Sequence, residues 1–402
     1  MTARVISRGS TRGLLRSRSA DDHARVTYVE LFFDLVFVFA VTQLSHLLLE
    51  QLTVAGALRT ALLLMGVWWA WIYTSWITNW LDPDRTPVRL ALFALMLAGL
   101  LLAVSIPHAF TWRGWTFALA YAAIQVGRTL FMLWAIGRDD AGLTRVFQRI
   151  LVWIAVSAAF WIAGGIAEGG SRAALWTTAI AIEYLSPSVG FWVPWLGRSA
   201  TSDWNVAGEH LAERCALFVI IALGESILVI GATFGGLDFT AEIVMAFLAS
   251  FVSSAAMWWI YFNIGAEAGS ERIAASSDPG RLARSAYTYI HLFIIAGIIV
   301  CAVADELVLK HPSGHTNAAT ASAVLGGPAL FLLGNILFKR VTANRWALSH
   351  LIGLLLLASL VAVSAVLSPL LLGIAAALVL ALVAIWETLS LTPQRDGAPF
   401  QE

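Results

Sequence analysis

The chain has 402 residues, 59% hydrophobic and 12% charged, whereas an ordinary soluble chain is roughly half apolar and a quarter charged. Its 25 Lys and Arg residues balance 25 Asp and Glu, so the formal net charge is zero and nothing points to a nucleic-acid partner. These values exclude a large soluble enzyme domain and describe a membrane protein.

Residues 1–26 carry Arg4, Arg8, Arg12, Arg16, Arg18 and Arg25 among Ser and Gly, without the apolar core of a signal peptide. They read as a disordered basic cytoplasmic tail. A bilayer-crossing helix needs about 20 mainly apolar residues. Runs of that kind predict spans at 27–49, 57–79, 88–108, 114–136, 148–167 and 173–196, then 210–234, 241–264, 285–309, 318–338, 346–367 and 369–389. Residues 391–402 read as a cytoplasmic C-terminal tail. With the N-terminus inside, 19 of the 25 Lys and Arg residues fall on the cytoplasmic side and only Arg59, Arg113, Arg172 and Lys310 on the other. That asymmetry predicts both termini in the cytoplasm of a bacterial inner-membrane protein. Cys215 and Cys301 both lie within spans, which excludes a disulfide framework and offers no metal-ligand spacing.

The two halves share short matches in the same order. Glu30 to Thr42 spans the same interval as Glu213 to Glu225; Tyr73 matches Tyr261, and Ala98-Gly99 matches Ala296-Gly297. Gly127 and Phe131 match Gly334 and Phe338, and Glu183 with Ser186 matches Glu387 with Ser390. The offset drifts only from 183 to 207 residues. The predicted fold is an all-α polytopic membrane protein of about twelve transmembrane helices, built as two parallel six-helix repeats over 27–199 and 200–390. Transporters built that way place their site between the halves.

Ionisable residues inside spans are costly and face the bundle interior. Span one holds Glu30 and Asp34, one turn apart on one face. Two such carboxylates coexist if one is protonated, or if a cation or an arginine such as Arg214 sits between them. Span seven holds His210, Glu213, Arg214 and Glu225, with His210, Glu213 and Glu225 on one broad face expected to point inward. Glu183 falls near the middle of span six and Arg128 in span four.

The functional reading is an acidic path for a small cation or a proton-coupled solute. Asp34 and Glu225 would be its centre, Glu30, His210 and Glu213 a cytoplasmic vestibule, and Arg214 the holder of the resting carboxylates. The structural alternative makes Glu213 with Arg214, or Arg128 with Glu183, packing ion pairs, and seats Glu30, Asp305 and Glu387 in the headgroup layer. Trp68, Trp69, Trp71, Trp76, Trp258 and Trp259 suit packing and interfacial belts better than a ligand cage. Gly99, Gly127, Gly164-Gly165 and Gly334 read as close helix contacts. No GxSxG, Walker or HExxH motif occurs, and no cofactor is expected. His210, Glu213, Glu225 and Asp34 would form a hard-metal set only if spans one and seven met.

The run Tyr28-Val-Glu30-Leu-Phe-Phe-Asp34-Leu-Val-Phe-Val-Phe-Ala40, with Glu213-Arg-Cys-Ala-Leu-Phe-Val-Ile-Ile-Ala-Leu-Gly-Glu225-Ser226, resembles the bacterial low temperature requirement A (LtrA) family over most of the chain. The resemblance implies a polytopic inner-membrane protein linked by name to growth in the cold. A more distant similarity joins Phe33-Asp34, Phe37, Ala40 and Thr42 to the first-helix motif of endolysosomal-type potassium channels, and implies cation permeation. Here Phe32-Phe33 precedes the acid in place of the motif's serine, and span seven has no matching aspartate. Membrane lipids and a small cation or solute are the expected partners, with a homodimer compatible with the sequence. An intramembrane enzyme acting on a lipid or hydrophobic metabolite, or a non-transporting scaffold, are the alternatives.

Overall fold

Polar residues at the breaks start the helices in a computed structural model of the chain, which describes residues 13–16, 26–137, 140–200, 208–263 and 279–395. Thr27 and Glu30 form a capping box at the start of α1 (Tyr28–Glu50), the Thr27 N–H donating to Glu30 Oε2 at 2.9 Å. The Thr53 hydroxyl accepts the Gly56 N–H at 3.0 Å and opens α2 (Val54–Thr78). Pro87 sits in the first turn of α3 (Thr86–Ser105), where its missing N–H costs nothing. Next come α4 (Gly114–Ile136), closed by Gly137 at φ +64°, α5 (Ala141–Ile166), capped by Asp140, and α6 (Gly169–Leu185). Then follow α7 (Gly208–Gly235), α8 (Ala241–Phe262), α9 (His291–Lys310), α10 (Ala318–Ala343), α11 (Leu348–Val361) and α12 (Pro369–Arg395). A π-helical turn at Arg284–Ile290 leads into α9.

Ten helices among the described residues are long and apolar enough to cross a membrane. Two of the twelve expected spans fall short. The sixth, expected over 173–196, is helical only to Leu185, and Pro187 follows. Residues 186–199 instead fold as turns held by Arg149, whose Nε donates to Leu196 O at 2.8 Å and whose Nη1 donates to Ser199 Oγ at 2.9 Å. The eleventh, expected over 346–367, is helical for 14 residues and then breaks into turns. The N-terminal reading also changes at residues 13–16. Leu14 is buried, Arg16 N–H donates to Trp80 O at 2.8 Å, and Asp82 N–H donates to Leu14 O at 2.9 Å. The other arginines of that tail, and residues 396–402, lie outside the described residues. At the opposite terminus, α12 runs on to Arg395, into the predicted tail.

The chain divides into two units, one made of residues 1–214 and 276–283, the other of 215–275 and 284–402. In the first, α4 packs on α3 and α5, α5 on α6, α1 on α2 and α3, and α2 on α4 and α6. Its core is aromatic: Trp68, Trp69, Trp71, Trp161, Trp176, Tyr121, Phe33, Phe37 and Phe117 are all but fully buried. Trp161 packs against Tyr121 and Trp176 with ring centroids 4.5 and 5.3 Å apart. Arg172 ties helix ends together. Its Nε donates to Gly164 O (3.1 Å) and Ala167 O (2.9 Å) at the end of α5, and its Nη1 to Ala109 O (2.9 Å) and Thr111 O (2.6 Å) beyond α3. A cation there satisfies carbonyls that have no helical donor.

In the second unit α9 packs along α10, α10 on α11, α11 on α12, and α12 on α8. The α9–α10 seam depends on glycine. A Cβ on Gly297 would lie 2.5 Å from Phe331 N, one on Gly327 2.7 Å from Cys301 N, and one on Gly334 2.7 Å from Ile294 Cγ1. Small residues permit this approach where lipid offers no hydrophobic drive to association. Gly99 serves a similar end in the first unit, 3.1 Å from Val36 by the same construction. Gly127 differs from expectation: no atom lies within 4 Å of its would-be Cβ, because it lines a cavity and makes no helix contact.

The two glycines should respond oppositely to alanine. Gly297→Ala forces two backbones apart and is expected to destabilise by about 1–3 kcal/mol. Gly127→Ala should be neutral or stabilising by up to about 1 kcal/mol, the helix-propensity gain. Thermal unfolding of the purified variants in detergent checks both, and equal effects would contradict the packing described.

Candidate functional site

The first unit contains a buried ionic cluster built from two helical i, i+4 pairs. On α1 the spacing stacks Glu30 and Asp34; on α7 it stacks His210 and Arg214. All four side chains are fully buried. Arg214 lies between the carboxylates, with Nη1 donating to Glu30 Oε1 at 3.1 Å and Nη2 to Asp34 Oδ1 at 2.5 Å. Such charge-assisted bonds are the strong ones.

Glu30 is saturated. Its Oε1 also meets His210 Nε2 at 2.9 Å, and its Oε2 accepts from Arg16 Nη2 at 3.1 Å and from the N–H and hydroxyl of Thr27, each at 2.9 Å. An ionised carboxylate only accepts, so His210 bonds it through a protonated Nε2 and leaves Nδ1 bare; that nitrogen is buried and unpartnered. Arg16 also donates through Nε to the Thr78 and Leu81 carbonyls, both at 3.0 Å. Two arginines and a histidine thus surround the two carboxylates.

Asp34 is held on one side only. Oδ1 accepts from Arg214 and from Trp71 Nε1 at 2.7 Å, while Oδ2 is buried without a partner. The Arg214 guanidinium carbon stands 5.8 Å from the Trp71 ring centroid and 6.0 Å from that of Phe33, within cation–π reach. Arg214 Nη1 also donates to Thr78 Oγ1 at 3.4 Å.

A second buried cluster surrounds Glu183. Its Oε2 accepts a short bond from the Tyr121 hydroxyl and a longer one from Gln125 Nε2 (3.5 Å), and its Oε1 accepts from Ser157 Oγ (2.6 Å) and Trp161 Nε1 (3.3 Å). Gln125 Oε1 in turn accepts a short bond from Arg128 Nη2. Arg128 and Glu183 are therefore joined through Gln125, where sequence suggested a direct ion pair. Arg128 Nη1 donates to Ala70 O at 3.0 Å and Thr74 Oγ1 at 3.2 Å, and its Nε is buried without a partner.

Between α2, α3 and α4 lies a cavity of about 350 Å³, walled mainly by apolar residues such as Leu92 and Phe131, together with Gly127, Arg128, Thr74 and Thr78. Two threonines one turn apart on α2 thus connect this cavity to both clusters: Thr78 bonds Arg214 and Thr74 bonds Arg128.

The predicted residues part company here. Glu30, Asp34, His210 and Arg214 come together, and Glu183 forms its own centre. Glu213, expected on the inward face beside His210, is exposed and accepts the Val26 N–H at 3.2 Å. Glu225 falls in the second unit, 9% exposed, with no hydrogen-bond partner among the described residues. Glu387 pairs closely with Lys339, near His350. Sequence reasoning missed Trp71, Thr78, Gln125 and the anchoring role of Arg16. The Thr27-x-x-Glu30 capping box was readable and would have tied Glu30 to the helix start. Among the described residues no group of three or more His, Cys, Asp or Glu side chains is placed to hold a metal, and Cys215 and Cys301 are both buried and form no disulfide.

The family model of the bacterial low temperature requirement A protein (LtrA) matches residues 25–385. Uncharacterized protein RA0937 of Rhizobium meliloti (strain 1021) is 41% identical over 382 residues, covering 94% of this chain and 92% of its own. No solved structure matches the chain. The resemblance first carried by Tyr28–Ala40 and Glu213–Ser226 thus extends along nearly the whole sequence, and this multi-pass membrane protein belongs to the bacterial low temperature requirement A family.

Proposed function

We propose that the chain moves a small cation or a proton-coupled solute across the bacterial inner membrane, with both termini cytoplasmic, and that Asp34 and Arg214 form the exchange centre. The observation that carries this reading is the asymmetry of Asp34: one oxygen is bonded to Arg214 and Trp71, the other is buried and bare, and Arg214 also bonds Thr78, which lines the cavity. A proton arriving on Oδ2 would cancel the charge that holds Arg214, and the guanidinium would fall back on Glu30 alone. Proton coupling is favoured over an open cation path because Arg214 already places a fixed positive charge between the acids. Glu30, saturated by four groups, acts in this reading as the anchor. Arg128 borders the solute's cavity, and Glu183 is joined to it through Gln125. Glu225 would be a further acid along the path, and Glu213 a surface group at its mouth.

Two parallel repeats are part of the proposal. Supporting it, matched helices pack in the same pairs within each unit: third on fourth, fourth on fifth, fifth on sixth, and second on sixth. The matched acids Glu183 and Glu387 each bond a residue of the fourth helix of their set, Tyr121 or Lys339.

Proteoliposomes under separate proton, Na⁺ and K⁺ gradients provide the test. Wild type should show proton-driven flux, and folded Asp34→Asn should lose at least about 90% of it, one factor of ten or 1.4 kcal/mol. Flux equal in the two would place the path elsewhere. Product formed from added lipid, without flux, would favour the enzyme.

A further inference from the structure

The second unit contains an acid that the exchange centre does not use. Asp305 lies on α9 and shares a narrow cavity of about 20 Å³ with Cys301 of the same helix, Ser250 and Ser253 of α8, and Val324 and Pro328 of α10. That volume accommodates a single water-sized occupant. Asp305 Oδ2 is buried and has no hydrogen-bond partner. Its neighbour Glu306 takes Lys310 at 2.6 Å, and among the described residues no basic side chain pairs with Asp305. A lone carboxylate within a membrane-crossing helix is expensive unless something neutralises it.

The helices converging there supply oxygens. Ser250 and Ser253 are i, i+3 neighbours on one face of α8. Pro328 lies inside α10, where it has no N–H to give the carbonyl four residues back, which is that of Val324. Both residues of that missing bond line the cavity. On α12 the wall is Gly373, Ala376 and Ala377, side chains too small to fill the space. One carboxylate, two hydroxyls and a released backbone carbonyl around a space of one water form a hard-oxygen donor set with a single negative charge. Helix-freed carbonyls of this kind coordinate monovalent cations in membrane carriers.

We propose that Asp305, Ser250, Ser253 and the Val324 carbonyl freed by Pro328 bind one small monovalent cation of sodium's class. The charge count favours a monovalent ion over a divalent one, and the oxygen donors favour it over a soft metal despite Cys301. The site stands independently of the proton-coupled reading of Asp34, because it predicts binding and requires no flux.

Equilibrium binding of radioactive Na⁺ to full-length protein, purified in detergent with choline chloride as the background salt, tests it. Wild type should bind saturably, one ion per chain, and should melt higher in NaCl than in equimolar choline chloride, as ligand binding to the folded state requires. Asp305→Asn should abolish both effects. Ser253→Ala, and Pro328→Ala, which returns a donor to the Val324 carbonyl, should each weaken binding about tenfold, the loss of roughly one ligand's worth of affinity. These two variants decide the matter if Asp305→Asn fails to fold. Asp34→Asn should bind Na⁺ like wild type, which separates failure of this site from failure of the exchange centre. Absence of saturable Na⁺ binding in folded wild type would overturn the proposal and make Asp305 a protonated structural acid. Binding unchanged in Asp305→Asn, or in both other variants, would do the same for the assigned ligands.

Discussion

Arg214→Gln is expected to be the most damaging single substitution in the chain. It removes the bonds to both Glu30 and Asp34 and leaves two carboxylates one turn apart, fully buried, facing each other. Breaking a buried pair on one side costs about 3–5 kcal/mol, more than the pair itself contributes, because the surviving charge has lost its solvent and its partner. The readout is a large fall in the melting midpoint and in the yield of monodisperse protein. A compensating variant makes the cause visible. Combining Arg214→Gln with Glu30→Gln and Asp34→Asn replaces the charges by neutral groups of similar shape, and should recover a large part of the lost stability without restoring flux. An Arg214→Gln protein as stable as wild type would mean that the two acids are not ionised around it.

The second expected result separates the two acids by their bonding. Glu30→Gln introduces an amide whose NH₂ faces donors whichever way it is turned: Arg214 and His210 on one side, Arg16 and the Thr27 N–H on the other. It also weakens the capping box of α1. We expect a loss of about 3 kcal/mol or more, the cost of unmade bonds to charged groups in a buried site. Asp34→Asn is milder. Its carbonyl oxygen keeps the bonds from Arg214 and Trp71, and its NH₂ takes the place of the oxygen that has no partner. A loss of about 1 kcal/mol is expected, together with the loss of flux. Melting midpoints measured side by side check the ordering. An Asp34→Asn protein destabilised as strongly as Glu30→Gln would show that Asp34 is a structural acid and withdraw the main support for its role in exchange.

How much of this was legible varies by residue. The Glu30 and Asp34 stack, and that of His210 over Arg214, follow from the helical period alone, and the capping box at Thr27 was there to be read. Which face of α7 points inward was not. Its two sides are almost equally apolar, since a membrane helix carries hydrophobic residues toward lipid and toward protein alike, and periodicity then loses its power to distinguish them. That is why the sequence suggests an inward Glu213 where the residue is exposed. Trp71 and Thr78 looked like ordinary members of a Trp-rich packing helix, because a hydrogen bond to Asp34 or Arg214 leaves no local trace in sequence. Gln125 was overlooked for the same reason, and Gly127, whose spacing suggested a helix contact, faces a cavity between α2, α3 and α4.

Composition and run length by themselves determined that the chain is a helical membrane protein, where most of its helices lie, and which charged residues need an explanation. These are properties of transfer from water and of helical rise, and each is read within some twenty residues. Tertiary structure decided the rest: that two predicted spans stop short at a proline and a turn, that Arg16 is drawn from the tail into the ionic cluster, and that within this cluster Asp34 keeps a bare oxygen while Glu30 does not. Those outcomes depend on which groups meet across large sequence separations. The geometry of a buried charge is set by its partners, and only packing brings the partners together.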